Sequence, residues 1–314
     1  MSLAVAPRTS GTVHLAMRAM STDVTITVVG GDDDLLAWAR GRIEQLEARW
    51  SRFLPDSDIS RLNAADGRPV EVTNDTLLAV RAACAAWVHT AGAFDPTVHD
   101  SLLRLGYDES IEQVRRREAD SAAPTALFPS PGCAGIVIDD RAGRITLPVG
   151  VRLDLGGIGK GLAADLTAEG LCARGATGAL VDIGGDLRVT GDSPRGGAWL
   201  IDIEDPRDER PIATVELFDG GVATSTTLRR RWRSAHETRH HIVEPSTGSS
   251  TSSSVVGAAV VAGTAGWADA LSKVPFVAPS QLDRLLPASC IVMFEDGTSI
   301  SSGPMEIRRR PVVT

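Results

Sequence analysis

A glycine-rich segment is the clearest candidate for binding chemistry in the sequence. Residues 153–165 read LDLGGIGKGLAAD, with one carboxylate before the glycines, at Asp154, and another at Asp165. Glycine lets backbone amides approach an anion closely, and a helix N-terminus favours negative charge. The G-G-x-G-x-G spacing matches neither the dinucleotide-binding fingerprint nor the phosphate-binding P-loop. The segment therefore predicts either a phosphate site or a tight turn packed against a sheet.

A second candidate is the turn at residues 91–97, AGAFDPT, which follows a predicted helix. Phe94, Asp95 and Thr97 bring an aromatic ring, a carboxylate and a hydroxyl together, and Pro96 fixes the backbone. The same sequence suits a helix-ending turn in which Asp95 binds local amides. Both interpretations stay open for this segment.

Two adjacent histidines, His240 and His241, precede a polar turn that begins at Glu244. An imidazole is suited to act as a general base because its reference pKa lies near neutral pH. The nearest further histidine is His236, and no cysteine accompanies the group, so the spacing does not indicate zinc. The alternative is a buried histidine with a structural role.

Charged residues form two more candidates. Residues 229–233, RRRWR, predict either a solvated β-hairpin or a clamp for a phosphate or an acidic partner segment. Asp269 falls in a predicted short helix, where its carboxylate could bind Mg²⁺ as a hard oxygen ligand. It could equally pair with Lys273, four residues further along the same helix.

The composition narrows the class of protein. Hydrophobic residues make up 43% of the chain and charged residues 23%, which excludes wholesale disorder and a fibrous protein. Acidic residues outnumber basic ones, 40 to 32, so we expect no nucleic-acid partner. The four cysteines stand apart from one another, which predicts reduced thiols. Neither a membrane-spanning stretch nor a signal peptide is recognisable, so we expect a cytoplasmic protein without membrane insertion.

Predicted helices and strands place these candidates. Apolar spacing predicts helices over about 35–50, 75–90 with Asn74 or Asp75 as N-cap, 109–119, from the glycine segment to 174, 265–272 and 279–286. Strand patterns fall at 24–28, 135–138, 144–147, 178–183, 186–190, 198–203, 211–217 and 254–262. Because the strands cluster rather than alternate with helices, we predict an α+β fold with a largely antiparallel sheet. We expect residues 1–14 to be flexible and residues 120–134 to form a surface loop.

The order of these motifs along the chain resembles that of the ApbE family, the FAD:protein FMN transferases. The resemblance is collinear over about residues 15–305. Besides the glycine segment and the turn at 92–97, it includes Met20-Ser21-Thr22, Ser51-Arg52-Phe53, 57–63, 182–186, 223–225, 241–248 and 268–270.

The resemblance implies one domain over residues 1–314, an α+β fold in which an antiparallel sheet and packed helices surround a flavin cleft. It implies a reaction in which FMN passes from FAD to a Thr or Ser hydroxyl of an acceptor protein, with release of AMP. Mg²⁺ would lie near the pyrophosphate. Phosphoryl-type transfer depends mainly on positioning and charge neutralisation, which a fixed metal ion provides. The expected substrate is therefore FAD, the cofactor Mg²⁺ and the partner a Thr- or Ser-bearing acceptor protein.

The resemblance also implies a role for individual residues. The FAD site would be lined by Met20, Phe53, Ala93, Phe94, Asp95, Asp154, Lys160 and Val243. Asp269 and the backbone carbonyl of Gly157 would bind Mg²⁺, with Ser272 as a further oxygen donor. His241 would be the base for the acceptor hydroxyl, because such a hydroxyl is a weak nucleophile without activation.

The sequence departs from the family pattern at Lys273, where the family usually has Thr four residues after the metal-binding aspartate. A protonated ammonium has no lone pair to offer a metal ion. Lys273 is thus either deprotonated, turned away, or placed so that its charge faces the phosphates. A milder departure is Glu244-Pro245 in place of Asp-Pro. Two alternative functions follow: hydrolysis of FAD to FMN and AMP, and FAD binding without catalysis because Lys273 disables the metal site.

Overall fold

The computed structural model describes residues 11–117, 126–234, 237–304 and 308–309. Its helices are α1 (Asp33–Trp50), α2 (Asp58–Asn63), α3 (Asn74–His89), α4 (His99–Arg104), α5 (Ile111–Arg116), α6 (Gly159–Ala173), α7 (Ala265–Leu271) and α8 (Val274–Val277), with a 3-10 helix at Leu282–Leu285. The strands up to the middle of the chain are β1 (Thr12–Ala19), β2 (Thr22–Val29), β3 (Val70–Glu71), β4 (Val137–Asp139), β5 (Arg144–Thr146), β6 (Gly178–Ile183), β7 (Asp186–Gly191) and β8 (Trp199–Glu204). The remaining strands are β9 (Pro211–Leu217), β10 (Gly220–Thr226), β11 (Arg231–Ser234), β12 (Glu237–His240), β13 (Val243–Glu244), β14 (Ser249–Ser250), β15 (Val255–Ala262), β16 (Ser289–Phe294), β17 (Ser299–Ser302) and β18 (Arg308–Arg309).

Eight strands form the central sheet, in the order β1-β2-β6-β7-β10-β15-β16-β17. Every neighbouring pair in it is antiparallel. Smaller sheets are β3-β5-β4, β18-β9-β8, β11-β12 and β13-β14. The predicted α+β fold with a largely antiparallel sheet is confirmed.

The central sheet is covered on both faces. Strand β15 shows this, because Ala258 and Val260 belong to the apolar cluster of α7 and α8, whereas Ala259 and Val261 pack with β8 and β9. Helices α1 and α6 extend the helical layer over β2 and β6. The functional groups on α6 and α7 are therefore held against a sheet that is itself buried.

Several predicted boundaries change in the structure. Helix α3 has Thr73 as its N-cap, which corrects the prediction of Asn74 or Asp75. The reason is tertiary, because the Asp58 carboxylate accepts both the Thr73 N–H, at 3.0 Å, and the Thr73 hydroxyl, at 2.8 Å. Asp75 instead pairs with Arg42 of α1 at 2.6 Å.

The structure also corrects the predicted limits of several other segments. Residues 12–14, expected to be flexible, belong to β1, and residues 1–10 lie outside the described part. Helix α5 ends at Arg116, and positions 118–119 of the predicted helix lie outside the described residues. The predicted helix at 279–286 is only the 3-10 helix. In the predicted loop at 120–134, residues 126–134 contain no helix or strand, and residues 120–125 are not described. The organisation of the chain as a single domain stays a prediction.

All four cysteines are free thiols, as predicted. No helix of the described residues is long and apolar enough to span a membrane.

The first turns of α6 and α7 are in direct contact. A Cβ on Gly161 would lie 2.2 Å from the Ala265 carbonyl oxygen, so only glycine fits at this position. The Asp165 carboxylate of α6 accepts the backbone N–H groups of Ala265 and Gly266, each at 2.8 Å. These are donors that the start of a helix leaves without intrahelical partners. The contact fixes the relative position of two helices that each carry a predicted site residue.

We expect Gly161→Ala to lower the free energy of unfolding by about 2 kcal/mol or more, because the added methyl group must displace the backbone of α7. The matched control is Gly41→Ala in α1, where nothing lies within 4 Å of the new Cβ. There alanine should stabilise by roughly 1 kcal/mol through helix propensity. Chemical denaturation measures both; equal effects of the two substitutions would contradict the close contact.

Burial raises the pKa of Asp165 to about 6, although the N–H groups of Gly266 and Ala265 oppose the shift. A folded pKa above the usual value means that folding favours the protonated carboxyl. Its contribution to stability is thus complete below about pH 4 and is lost as the pH rises through about 6. We expect the stability difference between the wild type and Asp165→Asn to fall by roughly 3 kcal/mol across that window. Denaturation at a series of pH values checks this, and a pH-independent difference would refute it.

Candidate functional site

A cavity of about 540 Å³ opens beside the first turn of α6. Its walls come from the β1–β2 turn, the end of α1, the α3–α4 turn, the β6–β7 turn, the end of β10 and the segment around β13. A volume of this size is typical of sites for small molecules and cofactors.

The cavity gathers most of the predicted site residues. Those that line it are Met20, Phe53, Ala93, Phe94, Asp95, Asp154, Gly157, Lys160, His241, Val243 and Lys273. Asp269 and Ser272 are not in its wall; both are fully buried and contact Lys273. The functional assignment of these residues stays a prediction, but the sequence motifs do converge in space.

The β1–β2 hairpin places Met20 at the cavity. Its two-residue turn has positive φ at both positions, 51° at Met20 and 58° at Ser21. This is the type I′ geometry that matches the twist of antiparallel strands, normally supplied by Asn or Gly. The absence of such a turn residue explains why the sequence did not predict this hairpin.

Arg52 is the organising side chain of the aromatic wall. Its Nε lies 2.8 Å from Asp154 Oδ2, and it donates to the Tyr107 carbonyl at 2.6 Å. The guanidinium lies 4.2 Å from the centroid of the Phe53 ring and 4.8 Å from that of Tyr107, within range of cation–π attraction. Asp154 in turn accepts the Gly156 N–H at 2.6 Å. Arg52 thus connects the aromatic rings to the glycine segment, a role that its sequence motif did not reveal.

The two predicted phenylalanines have different environments. Phe53 is 38% exposed at the cavity, whereas Phe94 is 4% exposed. A Cβ on Gly157 would lie 3.0 Å from the Phe94 ring, so glycine permits the close approach of the two segments. Phe53 is therefore the ring that is free to stack on a ligand.

The 91–97 turn has the local bonding that the sequence allowed for Asp95, whereas its ligand-binding role stays a prediction. Asp95 lines the cavity and accepts the Thr97 N–H at 2.8 Å and hydroxyl at 2.6 Å. Burial raises the pKa of Asp95 even though these bonds oppose the shift.

Lys160 forms the cationic group at the start of α6. Its ammonium pairs with Asp186 of β7, a residue that the sequence motif contained but that was assigned no role. Burial lowers the pKa of Lys160 to about 8. Asp182, at the same β6–β7 turn, accepts the Gly185 N–H at 2.8 Å, and burial raises its pKa. The glycine segment therefore combines a close-packed turn with a charged group directed at the cavity.

The predicted metal residues come together around an ammonium group. Lys273 Nζ contacts the Asp269 carboxylate and donates to the Asp269 backbone carbonyl at 2.7 Å. Ser272 Oγ lies 3.3 Å from this Nζ and 2.6 Å from the hydroxyl of Ser225 in β10. Burial alone would raise the pKa of Asp269, but the positive charges of Lys273 and Lys160 hold it below its usual value.

These residues do not fit Mg²⁺ as they are folded. The hard oxygen ligands that Mg²⁺ requires are the same oxygens that the Lys273 ammonium contacts. The described residues also contain no group of three His, Cys, Asp or Glu side chains that could hold a metal ion. The Asp269–Lys273 pair that the sequence allowed is therefore present, in a buried rather than a solvated form.

The two histidines are distinguished by their environments. His241 lines the cavity, and its Nδ1 is buried without a hydrogen-bond partner among the described residues. Burial and the positive charges of Arg230 and Lys273 hold the pKa of His241 well below its usual value, so its imidazole is neutral at pH 7. His240 does not line the cavity, and its Nε2 lies 3.1 Å from the Thr251 carbonyl oxygen.

The arginine-rich run forms the predicted hairpin, whereas its role as a clamp for a phosphate or an acidic segment stays a prediction. Strands β11 and β12 form the predicted hairpin, while Arg229 and Arg230 just before it line the cavity. Trp232 is buried, stacks on Tyr107 with ring centroids 5.2 Å apart, and donates to the Leu105 carbonyl at 2.8 Å. The hairpin is therefore anchored at the cavity rather than freely solvated.

Comparisons with known proteins agree with this architecture. A family model described as the ApbE family matches residues 20–288. A relative from Klebsiella pneumoniae, named FAD:protein FMN transferase, is 28% identical over 273 residues, or 84% of this chain and 77% of the relative. The crystal structure of the ApbE protein from Thermotoga maritima has 28% identity and a TM-score of 0.79, covering 93% of this chain and 97% of that one. The flavin transferase ApbE from Vibrio cholerae, at 24% identity, shares the fold with a TM-score of 0.74 over 94% and 98% of the chains.

Proposed function

The chain belongs to the ApbE family, and we propose that it transfers FMN from FAD to a Thr or Ser hydroxyl of an acceptor protein. The hydroxyl oxygen attacks the phosphorus of the FMN half, the bond to the AMP phosphate breaks, and AMP leaves. The hydroxyl proton passes to His241. The observation that carries the proposal is one cavity in which an exposed ring, a cationic helix start and a neutral imidazole meet.

FAD offers aromatic rings and a diphosphate, and the cavity has a counterpart for each. Phe53, held by Arg52, offers a face on which a flavin or adenine ring would stack. Lys160 and Lys273, each paired with a carboxylate, line the cavity beside the start of α6, whose helix dipole favours the negative charge of the diphosphate. Phosphoryl transfer depends largely on such positioning and charge stabilisation.

His241 suits the role of general base. Its imidazole is neutral at pH 7 because its pKa is depressed, so it can accept the proton of the acceptor hydroxyl. Mg²⁺ has no role in this proposal, because the Lys273 ammonium contacts the oxygens that would bind it.

The first test is incubation of the protein with FAD and a library of threonine-containing peptides. We expect peptides that gain the mass of FMN, with AMP released in equal amount. Mass spectrometry and AMP quantification measure the two products. FMN and AMP without peptide modification would instead establish a hydrolase, and bound but unchanged FAD would establish a flavin-binding protein.

We expect His241→Gln to slow transfer by about 100-fold or more while FAD affinity changes little, because only the proton-accepting group is lost. The matched control is His240→Gln, which should keep the rate within about threefold since this side chain is not in the cavity. A transfer rate for His241→Gln equal to that of the control would exclude His241 as the base.

The pH profile gives an independent readout of the same assignment. Because the pKa of His241 lies well below its usual value, wild-type transfer should not decline between about pH 8 and about pH 6. A loss of rate with an apparent pKa near the ordinary histidine value would contradict the assignment.

A further inference from the structure

We infer that Lys273 takes the place of a divalent cation beside Asp269, and that Arg230 supplies the net positive charge that faces the diphosphate of FAD, so that FAD binding in this protein needs no divalent cation. The inference rests on the proposed function because it concerns the same site. In this inference Lys273 has the role that the family resemblance gives to a bound metal ion.

The geometry of Lys273 carries the first step. Each of the three N–H donors of its ammonium has an oxygen within reach: the Asp269 carbonyl at 2.7 Å, the Asp269 carboxylate, and the Ser272 hydroxyl at 3.3 Å. The Lys273 Cε also adjoins Gly157, 3.4 Å from the position of a Cβ there. A divalent ion on the same oxygens would lie directly against a like charge in a buried site, where repulsion is poorly screened.

The balance of charge carries the second step. One Mg²⁺ ion on one carboxylate would leave a single positive charge, whereas the Lys273–Asp269 pair is neutral. Arg230 lines the same cavity and forms no ion pair with any residue in the described ranges. It therefore restores the single positive charge that the pair lacks. The other cavity cations, Arg52, Lys160 and Arg229, are matched by carboxylates of their own.

Arg230 is held in place from both sides. Arg115 of α5 binds the backbone carbonyls of Arg229 and Arg231, the latter at 3.1 Å from its Nε. Trp232, two residues on, is anchored by its stacking on Tyr107. The positive charge of Arg230 is close enough to depress the pKa values of the His241 and Lys273 side chains. These contacts hold the backbone on either side of Arg230, and its guanidinium, which lines the cavity, is suited to a phosphate oxygen.

The deciding experiment measures metal and FAD binding without an acceptor. Mn²⁺, detected by electron paramagnetic resonance, serves as the metal probe, and quenching of FAD fluorescence reports FAD affinity in EDTA and in millimolar Mg²⁺. We expect the wild type to retain no Mn²⁺ and its FAD affinity to change by less than about twofold between the two conditions. Retention of one Mn²⁺ whose removal weakens FAD binding at least about tenfold would overturn the inference.

Two substitutions of Lys273 sharpen the test. Lys273→Thr removes the ammonium and adds a metal-binding oxygen, so FAD affinity should fall about tenfold in EDTA and recover with Mg²⁺, and Mn²⁺ should now bind. Lys273→Met adds no such oxygen and should stay weak in both conditions. If both variants bind FAD as the wild type does in EDTA, Lys273 is not the counterion. Should neither variant fold, the wild-type titration and the Arg230 variant still decide.

For the second charge, Arg230→Gln should weaken FAD binding about tenfold in EDTA. The matched control is Arg233→Gln, since Arg233 is exposed in the same run and does not line the cavity. Equal effects of the two substitutions would remove Arg230 from the inference. Because these measurements use only FAD and metal, they are independent of flavin transfer. A failure of transfer would reject the proposed function but not the inference about Lys273 and Arg230. A metal-dependent FAD affinity would reject the inference but not the proposed function.

Discussion

The contact between the first turns of α6 and α7 is the constraint on which the site depends. Asp165 of α6 accepts two backbone N–H groups of α7, and Asp269 of α7 reaches back to the Gly161 N–H at 3.4 Å. Each helix thus supplies a carboxylate to the start of the other. Because Gly161 leaves no room between the backbones, Lys160 and the Asp269–Lys273 pair lie close together at one end of the cavity. A single packing contact therefore positions three charged groups of the site, Lys160, Asp269 and Lys273.

A second, less local set of contacts determines the opposite wall. The Arg52–Tyr107–Trp232 group joins the end of α1, the segment after α4 and strand β11. These interactions are directional, since a planar guanidinium between a carboxylate and aromatic rings has little freedom to turn. The aromatic wall and the charged end meet at Asp154, which binds both Arg52 and the glycine segment. The cavity is therefore shaped by two groups of contacts that share one carboxylate.

The long helices and eight of the strands were predictable because their apolar residues repeat with clear periods, as in α1 and β6. Strand β10 was missed because its pattern begins with Gly220-Gly221, and Gly221 serves packing: a Cβ there would lie 2.2 Å from the Ala265 nitrogen. The N-cap of α3 depended on Asp58, which is distant in sequence. In each case a tertiary contact decided what local propensity could not.

At the site, the motifs identified the residues that converge but not their partners. Spacing placed Lys273 four residues from Asp269, which fits a solvated pair as well as a buried one. Only the packing of α7 beneath the cavity shows that the pair is inside the protein. Arg52 and Tyr107 were assigned no role for a similar reason. Their interaction joins two residues that lie 55 positions apart in the sequence.

The residues that line the cavity come from several segments between Met20 and Lys273, which are far apart in the sequence. Antiparallel neighbours such as β2 and β6 come from widely separated parts of the sequence, and non-local pairing of this kind forms slowly. The binding cavity therefore forms only after strands from distant parts of the chain have paired. A ligand bound there would draw its affinity from the folded sheet as a whole and would stabilise all of it in return. Ligand binding and unfolding are therefore linked, so that the fraction of folded protein in the cell rises with occupancy of the cavity.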